Sequence, residues 1–239
     1  MNGPFKTSSD FRTTHDSGLK SFYANIFTFL GLNIIAFTSL SYFIAQNFNE
    51  FAFLYPKGFL SLIFFFFIFS FVMNALENSL TQNKQWMIII PLLASLIAIE
   101  SLIFAPLIIV FSESSTILLS FIISGSMLAI FSIIGTTTSV DLSEYRSLFS
   151  VGIIMIILTE AIGCFLNFAI NLRITSIGIV FAFLFIIAYD MQQLKKVYYQ
   201  NFEQSNKKIA LLGSVLLFLN FVILLQRILI LLNYKKDNK

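Results

Sequence analysis

The chain is poor in the residues that carry most soluble chemistry. Among its 239 residues there is one cysteine, Cys164, and one histidine, His15. A single cysteine excludes a disulfide within the chain. Together the two cannot build a Cys/His metal cluster, and no H-E-x-x-H occurs. Ser–His hydrolysis inside a membrane is excluded as well, because His15 lies in a polar N-terminal stretch. Charge is scarce: Asp, Glu, Lys and Arg make up 11% of the chain, whereas soluble domains carry about 25%. The net charge of +3 gathers near the ends of apolar segments. That is a topology signal, not a nucleic-acid footprint, and no nucleic-acid partner is expected.

What fills the chain instead is apolar surface. Hydrophobic residues account for 57% of it and the mean hydropathy is +0.86. Apolar segments of roughly 20 residues recur, which predicts a multi-span all-α membrane protein with the lipid bilayer as its first partner. The segments are continuous and do not alternate, so a barrel is not expected. Thirty phenylalanines read mostly as lipid-facing side chains, since Ile, Asn and Lys are abundant too, as in a protein from an AT-rich genome.

Residues 1–22 form a polar tail without the short hydrophobic core and small-residue cleavage site of a secretory signal. The tail reads as an unstructured cytoplasmic segment, followed by a seven-span transmembrane domain over 23–232 and a basic tail over 233–239. The expected spans are 23–46, 58–77, 86–111, 115–135, 148–170, 174–195 and 208–232. Pro91 and Pro106 predict kinks in the third. Ser120, Ser124, Gly125 and Ala129 give the fourth a small-residue face for close helix approach.

Orientation follows from Lys and Arg. With the N-terminus inside, the inner segments hold Lys6, Arg12, Lys20, Lys84, Arg146, Lys195, Lys196, Lys207 and Lys208. The outer segments hold Lys57, Arg173, Lys235, Lys236 and Lys239. Nine against five places the N-terminus in the cytoplasm.

Asp190 closes the apolar run Ile177 to Ala188. An acid at mid-bilayer costs about 2.5–3.5 kcal/mol on insertion scales and less toward the interface, so it usually faces the protein interior or a water-filled path. Lys195 and Lys196 put Asp190 near the cytoplasmic end of span six. Asn74, Glu77 and Asn78 share one face at the inner end of span two. Glu100, Glu160, Asn167 and Asn220 fall deeper, and Arg227 is placed to snorkel outward. Tyr189-Asp190 also raises an intramembrane aspartyl protease, whose chemistry needs two carboxylates sharing one proton. The span that follows reads Leu212-Gly213-Ser214 and Phe218-Leu219-Asn220, with no acid. No enzymatic activity is expected.

Three stretches carry a family resemblance. Ala188-Tyr189-Asp190-Met191-Gln192-Gln193-Leu194-Lys195 is similar to A-Y-D-x-Q-x-L-K, and Thr137-Thr138-Ser139-Val140-Asp141-Leu142-Ser143 to T-T-x-x-D-L-S. Phe218-Leu219-Asn220-Phe221-Val222 is similar to a final-span L-D-F-I segment. In their order and spacing the sequence resembles the Bax inhibitor-1 family (transmembrane Bax-inhibitor-motif proteins), in particular its bacterial inner-membrane branch.

The resemblance implies six helices around a central C-terminal seventh and a pH-sensitive calcium leak. In that mechanism an acid in span six and an acid in span seven share a proton. The first maps to Asp190 and the second to Asn220, which departs from the pattern because an amide does not ionise. Glu77 is the candidate substitute acid; Glu100, Glu160 and Tyr189 are secondary polar candidates. Asp190 alone makes at most a weak Ca²⁺ site, since that ion takes six to eight oxygens. No cofactor is expected, with Ca²⁺ entering only as permeant ion. The alternative class is a scaffold or modulator of a membrane-anchored protease or stress-response complex.

Overall fold

The computed structural model describes residues 8–51, 68, 70–72, 74–76, 78, 86–111, 114–145, 147, 151–152, 172–200 and 206–234. The described residues contain no strand. Six helices have bounds: α1 (Ser8–Gln46), the single turn α2 (Phe48–Phe51), α3 (Trp86–Val110), α4 (Ser114–Thr137), α5 (Leu172–Gln200) and α6 (Asn206–Tyr234). A 3₁₀ turn, Leu142–Tyr145, follows α4. Five helices are long and apolar enough to cross a membrane, at Gly18–Gln46, Trp86–Val110, Ser115–Thr137, Ile174–Gln200 and Lys207–Asn233. They coincide with the first, third, fourth, sixth and seventh expected spans. The expected spans 58–77 and 148–170 lie mostly outside the described residues.

Two local expectations need correction. Residues 8–22 are not an unstructured tail; they are the opening turns of α1. Once a span is helical, each further residue adds one hydrogen bond without a new nucleus, so the helix runs past the apolar stretch. In α4, Ser120 and Ser124 are fully buried while Gly125 has open space beside it and Ala129 is exposed. The small face instead runs Ser120, Ser124, Ser132, Gly135, at helical spacing. Pro91 and Pro106 both lie within one continuous α3.

Helix α6 is the centre. It packs against α1, α4 and α5 and touches α3. In its most apolar stretch 56% of the residues are buried, against 22% in α4, which faces outward. A helix apolar all round needs neighbours on every side or lipid, and here it has neighbours. Rings tie the helices together: Phe37 of α1 meets Phe104 of α3 at 5.2 Å and Phe218 of α6 at 5.6 Å, and Phe121 of α4 meets Phe221 of α6 at 5.7 Å. The phenylalanines therefore divide, since Phe27, Phe43, Phe71 and Phe181 are exposed.

Several hydroxyls inside the spans fold back on their own helices. Thr28, Thr38, Ser120, Ser124 and Ser126 each donate to the carbonyl four residues earlier, at 2.7–2.8 Å. In lipid no water offers an alternative.

Helices α4 and α5 approach very closely at Gly135. A Cβ there would run into the Ala188 carbonyl oxygen and lie 2.8 Å from the carbonyl carbon and Cα. Because those atoms are backbone, the neighbour has little room to yield. Gly135→Ala is expected to cost about 1–3 kcal/mol through overpacking, read as a lower unfolding midpoint in detergent. An unchanged midpoint would mean the crossing is looser than described.

Candidate functional site

The site is built on α5, which meets the molecule on two sides. Ile187, Met191, Leu194 and Tyr198 are buried at helical spacing and form one face. That face turns toward α1 and α6: the Tyr198 ring lies 5.0 Å from Phe22, and Leu194 packs where a Gly213 Cβ would sit. Ala188, Gln192 and Lys195 form a second face at i, i+4, i+7, turned toward α4 and the segment after it.

Asp190 belongs to the first face. Asn220 of α6 donates from Nδ2 to Asp190 Oδ2 at 2.8 Å. Asn220 is buried, while Asp190 is half-buried. Ile187 and Met191 precede and follow Asp190 on α5, and Leu217 and Phe221 flank Asn220 on α6, all four at most 2% exposed. Among the described residues these four give the pair an apolar collar. Asp190 lies ten residues before the end of α5, roughly 15 Å along the axis. A hydrogen bond to a charged acceptor contributes about 1.5–3 kcal/mol.

The second face grips residues 136–143. Gln192 Nε2 donates to the Val140 carbonyl at 2.6 Å, and its Oε1 accepts from the Leu142 N–H at 2.9 Å. Lys195 Nζ donates to the Thr136 carbonyl at 2.8 Å. That carbonyl is in the last turn of α4, where a cation meets the negative end of the helix dipole. Lys196 Nζ pairs with Asp141 Oδ1 at 2.9 Å. Asp141 also accepts from the Ser143 backbone N–H at 3.1 Å and its hydroxyl at 2.7 Å, which starts the 3₁₀ turn. Two stretches distant in sequence are therefore one mechanical unit. Sequence reasoning had singled out both and missed that they bind each other; the signal was a polar Gln192 on a buried stripe.

The other sequence candidates are scattered. Glu77 and Glu160 lie outside the described residues. Tyr189 is half-buried beside Asp190. Glu100 is buried in α3 and, among the described residues, makes no hydrogen bond or ion pair. Its neighbour Ser101 donates to the Phe37 carbonyl at 3.3 Å, and one turn earlier on α1 the Asn33 Nδ2 is buried without a partner. Among the described residues no three His, Cys, Asp or Glu side chains come together to hold a metal. Asp190 and Asn220 supply too few oxygens for a resident Ca²⁺.

Five described lysines, Lys20, Lys195, Lys196, Lys207 and Lys208, share one end of the bundle. The Phe22–Tyr198 contact brings the start of α1 to the end of α5, and Lys208 lies over the Trp86 ring at 5.7 Å.

The sequence model of the family described as "Inhibitor of apoptosis-promoting Bax1" matches residues 19–237. The chain belongs to the Bax inhibitor-1 family. Relatives of this Bax inhibitor-1 protein include an uncharacterized protein of Rickettsia prowazekii, 29% identical over 120 residues, which are 49% of this chain and 50% of that one. The inner membrane protein YbhL of Escherichia coli K12 is 30% identical over 129 residues, 52% of this chain and 54% of its own. The match thus spans about half the length of these two curated relatives. An uncharacterized membrane protein of Streptococcus pyogenes serotype M1 is 23% identical over 219 residues, 88% of this chain and 91% of that one.

The hydrogen bond from Lys196, followed by those from Ser143, lowers the Asp141 carboxyl from an ordinary 3.8 to about 2. A depressed pKa means the ion pair is fully present above the ordinary value and lost as pH falls through the lowered one. The Asp141 contact is therefore expected to stay constant from about pH 5 to 8. Carboxyl ¹³C shifts in nanodiscs should show a midpoint near 2 that moves up toward 3.8 in Lys196→Ala. Titration of Asp141 above pH 4 in the unaltered protein would contradict the geometry.

Proposed function

We propose that this Bax inhibitor-1 protein is a multi-pass protein of a bacterial inner membrane, N-terminus inside, that lets a cation leak past Asp190 and Asn220. The observation that carries the reading is the 2.8 Å hydrogen bond from Asn220 to Asp190 between two spans. A half-buried carboxylate between two spans attracts a cation. Ca²⁺ is the permeant ion the family resemblance implies. The lysine-rich end is the cytoplasmic one under the positive-inside rule, which puts the pair toward the inner face.

The amide at 220 sets the gating. Two acids at this range share one proton, and the pair rearranges as that proton comes and goes. The Asn220 amide keeps its protons at all ordinary pH values. It holds the arrangement that an acid pair adopts only when singly protonated, so the leak is constant over the physiological range.

The test is Ca²⁺ flux into proteoliposomes between about pH 5 and 8. Asp190→Asn is expected to change flux by about tenfold, the equivalent of 1.4 kcal/mol, while the unaltered chain shows a flat pH profile. Asn220→Asp should introduce a pH dependence. Unchanged flux in Asp190→Asn would take Asp190 off the path.

A second reading has one observation in its favour, the helical continuation of α1 through residues 8–17. A helical extension past the span is a ready docking element for a membrane-anchored protease or stress-response complex. On that reading, deleting residues 2–17 abolishes co-purification with a membrane complex, and Asp190→Asn leaves it intact. Co-purification that survives the deletion would remove the docking role.

A further inference from the structure

We propose that Gln192 is the positioning residue of the Asp190 site: by gripping the backbone of the 138–145 strap it fixes the rotation of α5 about its own axis, and so aims Asp190 at Asn220. The inference rests on the reading of Asp190–Asn220 as the functional pair.

Residues 190 and 192 are two apart on one helix, about 200° around its axis. One therefore points to α6 and the other to the far side, where the strap lies. Gln192 is 8% exposed and uses both ends of its amide, donating to the Val140 carbonyl and accepting from the Leu142 N–H. A paired donor and acceptor on one backbone segment fix direction as well as distance. The apolar contacts of α5 do not: Ile187, Met191 and Leu194 would stay buried through a modest turn of the helix. At the roughly 6 Å radius of a side-chain tip, a turn of about 30° moves it by about 3 Å. That displacement breaks a hydrogen bond, so the Gln192 hydrogen bonds and the Asp190–Asn220 hydrogen bond are made together or lost together.

The strap is firm enough to serve as the reference. It starts at the last turn of α4, where Thr136 and Thr137 hydroxyls donate to the Ile133 carbonyl at 2.9 and 2.8 Å. The Thr138 N–H donates to the Ile134 carbonyl at 2.9 Å. It continues through the Asp141 turn to the Lys196 pair. Lys195 and Lys196 hold the strap close, but a flexible four-carbon stem ending in a point charge specifies rotation poorly. Gln192 has the shorter stem and the planar head. The Gly135–Ala188 crossing sits one turn from Gln192 and holds the two helices close there.

The test is cross-linking in the full-length protein in membranes, with Cys164→Ser to remove the native thiol. Asp190→Cys with Asn220→Cys reports the rotation of α5 against α6, using a one-carbon bis-methanethiosulfonate reagent. Phe37→Cys with Ser101→Cys reports α1 against α3, where Ser101 meets the Phe37 carbonyl and neither residue is on α5. Adding Gln192→Met, which keeps length and removes both hydrogen bonds, is expected to slow the 190–220 cross-link at least tenfold and leave the 37–101 rate unchanged. An unchanged 190–220 rate overturns the proposal. If Gln192→Met abolishes both cross-links, Gln192→Glu decides, because it keeps the acceptor for Leu142 and, ionised, has no donor for Val140. A slower 190–220 rate with the 37–101 rate intact supports the positioning role. An unchanged 190–220 rate, or loss of both pairs, overturns it, since Gln192 would then hold the whole fold or nothing. Flux plays no part in this readout, so a failed leak and a failed positioning role are separate results.

Discussion

A polar side chain inside a bilayer has no water to turn to, so its partner must come from the protein. That constraint arranges most of the molecule. Hydroxyls on α1 and α4 spend their donors on their own helix. Gln192, buried, meets the Val140 carbonyl and the Leu142 N–H in the segment after α4. Asp190 and Asn220 answer each other across two spans. Among the described residues the rule is broken at several buried groups, the hydroxyls of Ser41, Ser132 and Ser176 among them, and at Glu100 and Asn33 of α3 and α1 no packing reason explains the choice of residue. Such breaches of local consistency cluster at functional or strained positions.

The spans were legible because membrane insertion is decided by summed hydropathy over a length, and five of the expected segments coincide with helices. Their ends were not. Counting apolar residues finds where lipid stops, whereas the helix continues while hydrogen bonding is cheap, to Ser8 in α1 and Gln200 in α5. Composition also cannot tell a central helix from a lipid-facing one, since lipid tails and protein core are equally apolar. The central place of α6 entered only through family resemblance, and the division of phenylalanines between Phe218 in the core and Phe181 outside was beyond reach for the same reason.

The candidate site shows the same split. Asp190 stands out by cost, and Asn220 by its place in the motif order. The strap's side of the grip is invisible in sequence because its acceptors and donors are backbone atoms of Thr136, Val140 and Leu142, which leave no mark on residue identity. A strap motif reads as Thr, Asp and Ser, and only Asp141 uses a side chain to reach α5.

On the proposed reading, the amide at 220 also determines how a cation is handled. Its N–H group stands where a cation would, with its positive end on the Asp190 carboxylate. A cation arriving at the carboxylate must displace that group or share the carboxylate with it. Displacement gives up a charge-assisted hydrogen bond of about 1.5–3 kcal/mol, which weakens binding by about one to two powers of ten at 1.4 kcal/mol each. Weak binding is what conduction requires, because an ion must leave as readily as it arrives. An acid at 220 would hold a divalent cation more tightly and release it only when protonated. The amide exchanges that switch for a shallow, constant site, and the aim of Asp190 becomes the main variable left, which is set from the far side of α5.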